Sequence, residues 1–352
     1  MSNHLLINGT LNTMLHNGVL EPYIKYIRFP FYKNLEEGAR IDFDFPITVL
    51  IGQNGTNKSS VLRAVFGCPE DCNVGNFWFS TAVDPIHIQD RKSRPPRFIY
   101  GYFHKIQNRT VEVIKTRIEK KRVVKGKSYP NPDYWEPSRP LKSDGMELMP
   151  ETNLSDKDDL LKKEGRLKTR WPLIDKNVVF KDFRSEISAF DKYFYHGNLT
   201  KTLKYNTKQD FIRDRSKQLR KVIRDNLKSL KLFRGKKEHV YQNYVLPDDQ
   251  VKAISDILGK RYSGVRVIQH KLFKVEGDTV ILETEDLRYS EAFAGSGEFA
   301  IAQIVKDVMS APERSLIIFD EPEVSLHPGA QERLMRFLKD QVKWGRHQVV
   351  IG

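Results

Sequence analysis

The amino-acid sequence predicts an α/β protein: a sheet built from both ends of the chain, with a large mixed, helix-containing insertion between them. Three observations carry this expectation. An apolar run, IDFDFPITVLI (Ile41–Ile51), leads through a Gly-rich turn into a helical stretch, KSSVLRAVF (Lys58–Phe66). A second run, Leu316–Phe319, ends in Asp320 and Glu321, and an amphipathic helix and the strand HQVVI (His347–Ile351) follow it. Between these ends the chain is more polar and is broken by prolines. The expected organisation is an N-terminal part over 1–105, an inserted basic and partly helical region over 106–284, and a C-terminal part over 285–352.

Taken in order, Ile41–Ile51 alternates at first and then becomes continuously apolar, as a strand entering a covered sheet does. Lys58–Phe66 places Val61, Leu62 and Val65 on one helical face. VEVIKTRIEKKRVV (Val111–Val124) alternates like a strand or hairpin arm. The four prolines of YPNPDYWEPSRP (Tyr129–Pro140) predict a loop. Asn177–Phe180 reads as a short strand, and a long helix is expected from Gln209 to Phe233. FAIAQIVKDVM and GAQERLMRFLKDQV have helical spacing. Tyr134 and Trp135, and the cluster Phe190, Tyr193, Phe194 and Tyr195, are expected to pack in a core or an interface. The chain ends at Gly352 directly after a strand, an abrupt end that suggests a missing C-terminal part.

Composition narrows the function classes. With 352 residues, 39% apolar and 30% charged, the chain can bury a sizeable core. No apolar run approaches the roughly 18 residues of a membrane span. The N-terminus lacks the basic-then-apolar order of a secretory signal. A cytoplasmic protein without a membrane partner is therefore expected. Cys68 and Cys72 have no second Cys/His pair at metal-ligand spacing and read as reduced thiols. The net charge of +14 suggests a polyanionic partner, although solubility explains part of such an excess.

The chemistry-bearing motifs lie at the two ends. Gly52-Gln53-Asn54-Gly55-Thr56-Asn57-Lys58-Ser59-Ser60 sits between strand and helix, where successive backbone N–H groups and a helix N-terminus can cradle phosphates. Lys58 would reach the β- and γ-phosphates of ATP, and the Ser59 hydroxyl would ligate Mg²⁺. Asn57 stands where a glycine is usual, and Asn is a side chain that tolerates a left-handed backbone. Asp320 fits a Walker B acid that holds Mg²⁺, and Glu321 is placed to act as general base toward the attacking water. Ala294-Gly295-Ser296-Gly297-Glu298, just before a helix and about twenty residues before the Walker B strand, has the character of an ABC signature. Through Ser296 and Gly297 it would serve the nucleotide of an opposite protomer. Together these motifs predict a P-loop NTPase of the ABC-ATPase head type.

GQNGTNKSS, AGSGE and FDEPEVSLHP together resemble the ABC-class ATPases of the RecF/SMC/OLD type, and more narrowly the ATPase subunits of bacterial anti-phage systems such as PARIS and Septu. The resemblance covers roughly residues 20–105 and 285–352. It implies a homodimer or higher homo-oligomer that sandwiches ATP between heads, with Ser325 and His327 near the dimer interface. It also implies a separate effector, such as a nuclease, under the control of ATP. The chain departs from the pattern in reading Gly-Ser-Gly rather than Ser-Gly-Gly, and the switch histidine expected after HQVVI lies beyond Gly352. Gln89 and Gln107 are the candidates for a Q-loop glutamine.

Residues 201–240 hold fourteen basic and four acidic residues. Arg213, Lys217, Arg220, Arg224, Lys228 and Lys231 recur at helical steps, beside an apolar face of Leu219, Val222, Ile223, Leu227 and Leu230. Such a face suits DNA phosphates, an acidic protein surface, or solvent alone. Three functional readings follow: a defence ATPase subunit, a RecF/SMC-like DNA-maintenance ATPase on duplex DNA, and an ATP-bound scaffold or sensor with little turnover.

Overall fold

The structure, a computed structural model, describes residues 2–84, 95–232, 237–323 and 326–352. It divides into two compact units, each discontinuous in sequence. The first is Met1–Phe180, Ala311–Asp320 and Gln341–Gly352; the second is Lys181–Ser310 and Glu321–Asp340.

In the first unit, α1 (Ser2–His16) precedes an antiparallel sheet of order β2-β1-β4-β5-β6, built from β1 (Ile24–Phe31), β2 (Ala39–Asp42), β4 (Arg97–His104), β5 (Arg109–Val124) and β6 (Lys127–Ser138). A second sheet has the order β3-β14-β13-β7, from β3 (Ile47–Val49), β7 (Val178–Asp182), β13 (Leu316–Asp320) and β14 (Gln348–Ile351). Here β3, β14 and β13 run parallel, with Val349 opposite Ile47 and Leu316 opposite Gln348. All five residues of β13 are buried, which is why its sequence is apolar throughout rather than alternating.

Helix α2 (Lys58–Phe66) contributes Val61, Leu62 and Val65 to a single core with Ile24 and Ile27 of β1, Phe98 and Tyr100 of β4, Leu316 and Ile318 of β13, and Val350 of β14. Gln348 adds a polar stitch to this core. Its side-chain carbonyl accepts the Ile24 N–H at 3.0 Å, and its amide donates to the Ile24 carbonyl at 2.9 Å. Trp135 lies within 5.7–5.8 Å, ring to ring, of Tyr32, Trp78 and Phe98, so it packs in the core as expected.

Two expectations for the first unit need correction. Ile41–Ile51 is not one strand. Its first residues belong to β2 in the antiparallel sheet and its later ones to β3 in the parallel sheet. The Tyr23 hydroxyl holds the crossing by donating to the carbonyls of Phe43 at 2.9 Å and Phe45 at 3.0 Å. The proline-rich stretch is not a loop either, because β6 runs through it. As the last strand of its sheet β6 needs hydrogen-bonding groups on one side only, so Pro130 opposite Lys121 and Pro137 opposite Lys115 are tolerated.

In the second unit, β8 (Leu230–Leu232), β9 (Lys237–Val245), β10 (Gly264–His270), β11 (Gly277–Glu283) and β12 (Arg288–Ser290) form an antiparallel sheet of order β12-β11-β10-β9-β8. Helices α3 (Ala189–His196) and α4 (Lys208–Arg224) bury Tyr193, Phe211, Leu219 and Val222 against Ile268 of β10 and Ile281 of β11. Helices α5 (Asp248–Leu258) and α6 (Ser296–Met309) pack on each other, and α7 starts at Pro328 and ends at Gly345.

The long basic helix is shorter than its sequence pattern predicts. It ends at Arg224, Asn226 turns left-handed at φ 47°, and the chain then enters β8. The Asn243 amide, from β9, donates to the carbonyls of Val222 at 3.2 Å and Leu227 at 3.0 Å. Carbonyls freed by the helix end are thereby satisfied. Leu227, Lys228, Leu230 and Lys231 consequently lie off the helix, and Phe233 lies outside the described residues.

Candidate active site

The loop between β3 and α2 is shaped for close approach of a ligand to backbone. Gly55 has φ 85°, and Asn57 sits at φ 67°, ψ 18°, the left-handed conformation anticipated from its residue type. A Cβ at Gly52 would come within 2.7 Å of the Thr56 hydroxyl, which itself donates to the Gln53 carbonyl at 2.8 Å. Gly52, Gln53, Asn54, Gly55 and Thr56 are exposed, whereas Ser60 is buried under the loop. The Lys58 ammonium folds over this turn, donating to the carbonyls of Gly52 at 2.8 Å and Gln53 at 3.3 Å.

The Ser59 hydroxyl donates to Asp320 at 3.1 Å. Asp320 is almost fully buried at the end of β13, so the sheet brings together a serine and an acid 261 positions apart. A hydroxyl and a carboxylate side by side are hard oxygen donors of the kind Mg²⁺ takes, and the adjoining loop offers N–H groups to phosphate. The residues present therefore fit a magnesium–nucleotide complex.

Lys33, which motif reading did not single out, belongs to the same neighbourhood. It follows β1 in a left-handed turn at φ 49° and donates to the Ser60 hydroxyl at 2.9 Å, with its ammonium 5.1 Å from the Trp78 ring. Burial, followed by the nearby Arg63 guanidinium, lowers its pKa. No sequence signal marks Lys33, because its reach depends on the tertiary placement of the turn.

In the second unit, Glu321 follows β13 at φ 56°, an uncommon backbone region for a glutamate. Its carboxylate lies 3.8 Å from the Arg184 guanidinium, which also engages Asp182 at 3.0 Å. The signature segment opens helix α6. Ser296 is exposed and Gly297 half-buried at its first turn. Glu298 fixes this turn by accepting the Gly295 N–H at 3.0 Å, the Tyr289 hydroxyl at 2.8 Å, the Lys260 ammonium at 3.0 Å and the Tyr262 hydroxyl. The tyrosine and lysine partners come from outside the pentapeptide, so the motif alone does not disclose them.

A family model described as "AAA domain, putative AbiEii toxin, Type IV TA system" (AAA_21) matches residues 47–351, spanning the loop, the signature segment and both acids. The chain belongs to this family. The AAA_21 match and the parallel strands β3, β14 and β13 beside the loop agree with a P-loop ATPase fold. Among solved structures it is similar to the SMC head domain from Thermotoga maritima, at 13% identity, covering 93% of this chain and 88% of that chain with a TM-score of 0.36. It is also similar to the Smc head domain with an extended coiled coil bound to the C-terminal domain of ScpA, derived from Pyrococcus furiosus, at 14% identity, 94% and 89% coverage and a TM-score of 0.40. Both likenesses are loose and add nothing to the family match. No curated protein matches the chain.

The remaining sequence-derived candidates fall as follows. Arg213, Lys217, Arg220 and Arg224 are exposed on α4, with Arg213 paired to Asp210 at 3.2 Å and Arg224 to Asp225 at 2.7 Å. Lys228 and Lys231 are exposed but not on that helix. His327 accepts the Gly329 N–H at 3.2 Å at the start of α7, and Ser325 lies outside the described residues. Gln107 donates its amide to the Glu164 carbonyl at 2.9 Å, and Gln89 also lies outside them. No helix of the described residues is long and apolar enough to cross a membrane.

Proposed function

We infer that this AAA_21 protein binds ATP with magnesium and hydrolyses it at a site that a second copy completes. The observation that carries the reading is the 3.1 Å hydrogen bond between Ser59 and Asp320 beside the Gly52–Ser60 loop. Bound ATP·Mg²⁺ supplies the phosphoanhydride and a divalent charge at its γ-phosphate. Loop N–H groups and Lys58 hold the phosphates, Ser59 and Asp320 hold the metal, and Glu321 orients and deprotonates the attacking water. Ser296 and Gly297 of another copy present hydroxyl and N–H donors at a helix N-terminus, which suits the far side of the γ-phosphate.

By the resemblance of its motifs to anti-phage ATPase subunits, we further place the protein in a complex whose separate effector it controls. Purification from its native operon with no co-purifying effector would contradict that placement.

The activity itself is tested by phosphate release from purified protein. Glu321→Gln should lower turnover by roughly a hundredfold or more while leaving ATP binding intact, as expected for loss of a general base. Ser59→Ala should abolish the magnesium dependence of binding. Turnover unchanged in Glu321→Gln sinks the assignment of the base.

A further inference from the structure

The β5–β6 hairpin does more than extend a sheet. Strand β4 pairs with β5 only as far as Thr116, opposite Arg97, whereas β5 and β6 stay paired out to Val124 and Lys127. From Ile118 to the turn the two strands form a ribbon without β4, about 23 Å long at the usual strand rise. Its base is anchored. The buried Arg117 guanidinium donates to Asp133 at 3.0 Å, and Asp133 also accepts the Ser80 N–H at 3.0 Å. A bulge between Ile118 and Lys120 re-aims the ribbon as it leaves the sheet. The tip is a tight two-residue turn, with Lys125 at φ 49° and Gly126 at φ 74°, whose twist matches paired strands.

Charge and exposure at this ribbon are unusual. Residues 119–127 contain five basic residues, Lys120, Lys121, Arg122, Lys125 and Lys127, and one acid, Glu119. Lys121, Lys125 and Lys127 are exposed, and near the tip so are Val123 at 68%, Val124 at 40% and Tyr129 at 51%. Like charges so close repel one another, and exposed valines gain nothing from water. A solvated edge would need neither the length nor the apolar tip.

We propose that this ribbon docks in a groove of duplex nucleic acid, its lysines on the phosphates and its valine tip against the base stack. A two-stranded ribbon fits the major groove, and basic arms with apolar wedges are also used in the minor groove. The ribbon's lysines are placed on phosphates rather than base edges, so recognition is of backbone and shape rather than sequence. The site is separate from the ATPase loop and stands or falls without it.

The test is fluorescence anisotropy of the full chain with a labelled 30-base-pair duplex at several salt concentrations. Four phosphate contacts give a slope near −3.6 in log affinity against log salt, a loss of roughly 150-fold between 50 and 200 mM. Lys121→Ala/Lys125→Ala/Lys127→Ala should weaken binding by roughly tenfold or more and flatten the slope by about 3, equally for unrelated sequences. Its ATP turnover and thermal unfolding should match the parent, which excludes misfolding. Val123→Ser/Val124→Ser should keep the slope and lose affinity modestly. The proposal is overturned if the parent does not bind duplex, or if the lysine variant binds as the parent does while Arg213→Ala/Lys217→Ala/Arg220→Ala does not. It is equally overturned if polyglutamate of matched charge displaces the parent as well as the duplex does, since that would mark an acidic-protein surface.

Discussion

Glu291 keeps its carboxyl in a place where charge is costly. Burial pushes its pKa up to about 8, against the opposing pull of hydrogen bonds from Thr279 at 3.0 Å and the Val280 N–H at 3.0 Å, with Asp191 nearby adding to the rise. Behind it, His270 accepts the Leu272 N–H on Nδ1 at 3.1 Å, so its Nε2–H faces the Thr279 hydroxyl at 2.9 Å, and burial pushes its pKa down to about 4. A raised carboxyl pKa stabilises the fold fully below its unfolded value and loses that stabilisation as pH rises through the folded one. The lowered histidine acts at the other end, stabilising above its unfolded value and failing as pH falls toward 4. The contribution of Glu291 to stability should therefore fall as pH rises from 6 to about 8, and the melting temperature of Glu291→Gln relative to the parent should rise over that window. Parallel pH profiles for the two proteins would show that Glu291 does not carry it. At this scale, residues whose chemistry is local were legible: the Gly52–Ser60 loop and Asp320 follow from residue type and spacing. Lys33 and the partners of Glu298 were not, since Tyr262, Tyr289 and Lys260 reach it only through tertiary structure.

Elements came out well where their own residues decided them, by one apolar face in α2 and a continuous apolar run in β13, and less well where neighbours did. The basic helix was read past Arg224 because no glycine or proline marks its end; the cap comes instead from Asn243 on another strand. The prolines of β6 read as loop because sequence does not announce that a strand is the last of its sheet. Gln348 is a similar case, a polar residue in an apolar strand whose purpose is the two hydrogen bonds it makes to Ile24 of a different sheet. Gln348→Leu leaves a buried N–H and carbonyl unsatisfied and should cost roughly 2–4 kcal/mol in urea unfolding. A loss below about 0.5 kcal/mol would mean that solvent or neighbouring groups satisfy Ile24 without the glutamine.

At the scale of the whole molecule, chain order and spatial order part company. Both compact units are assembled from separated segments, and the boundary passes between Asp320 and Glu321. Asp320, the proposed metal ligand, and Glu321, the proposed base, thus fall in different units, a division that the contiguous motif does not reveal. The family match covers 47–351 and makes the chain a member of the AAA_21 family. Beyond the family, we propose that ATP is held between two copies of the chain. Light scattering of Glu321→Gln with and without ATP and magnesium tests this most directly, with Lys58→Ala as the comparison. ATP should at least double the mass of Glu321→Gln and leave that of Lys58→Ala unchanged. A mass indifferent to nucleotide in both variants would contradict it.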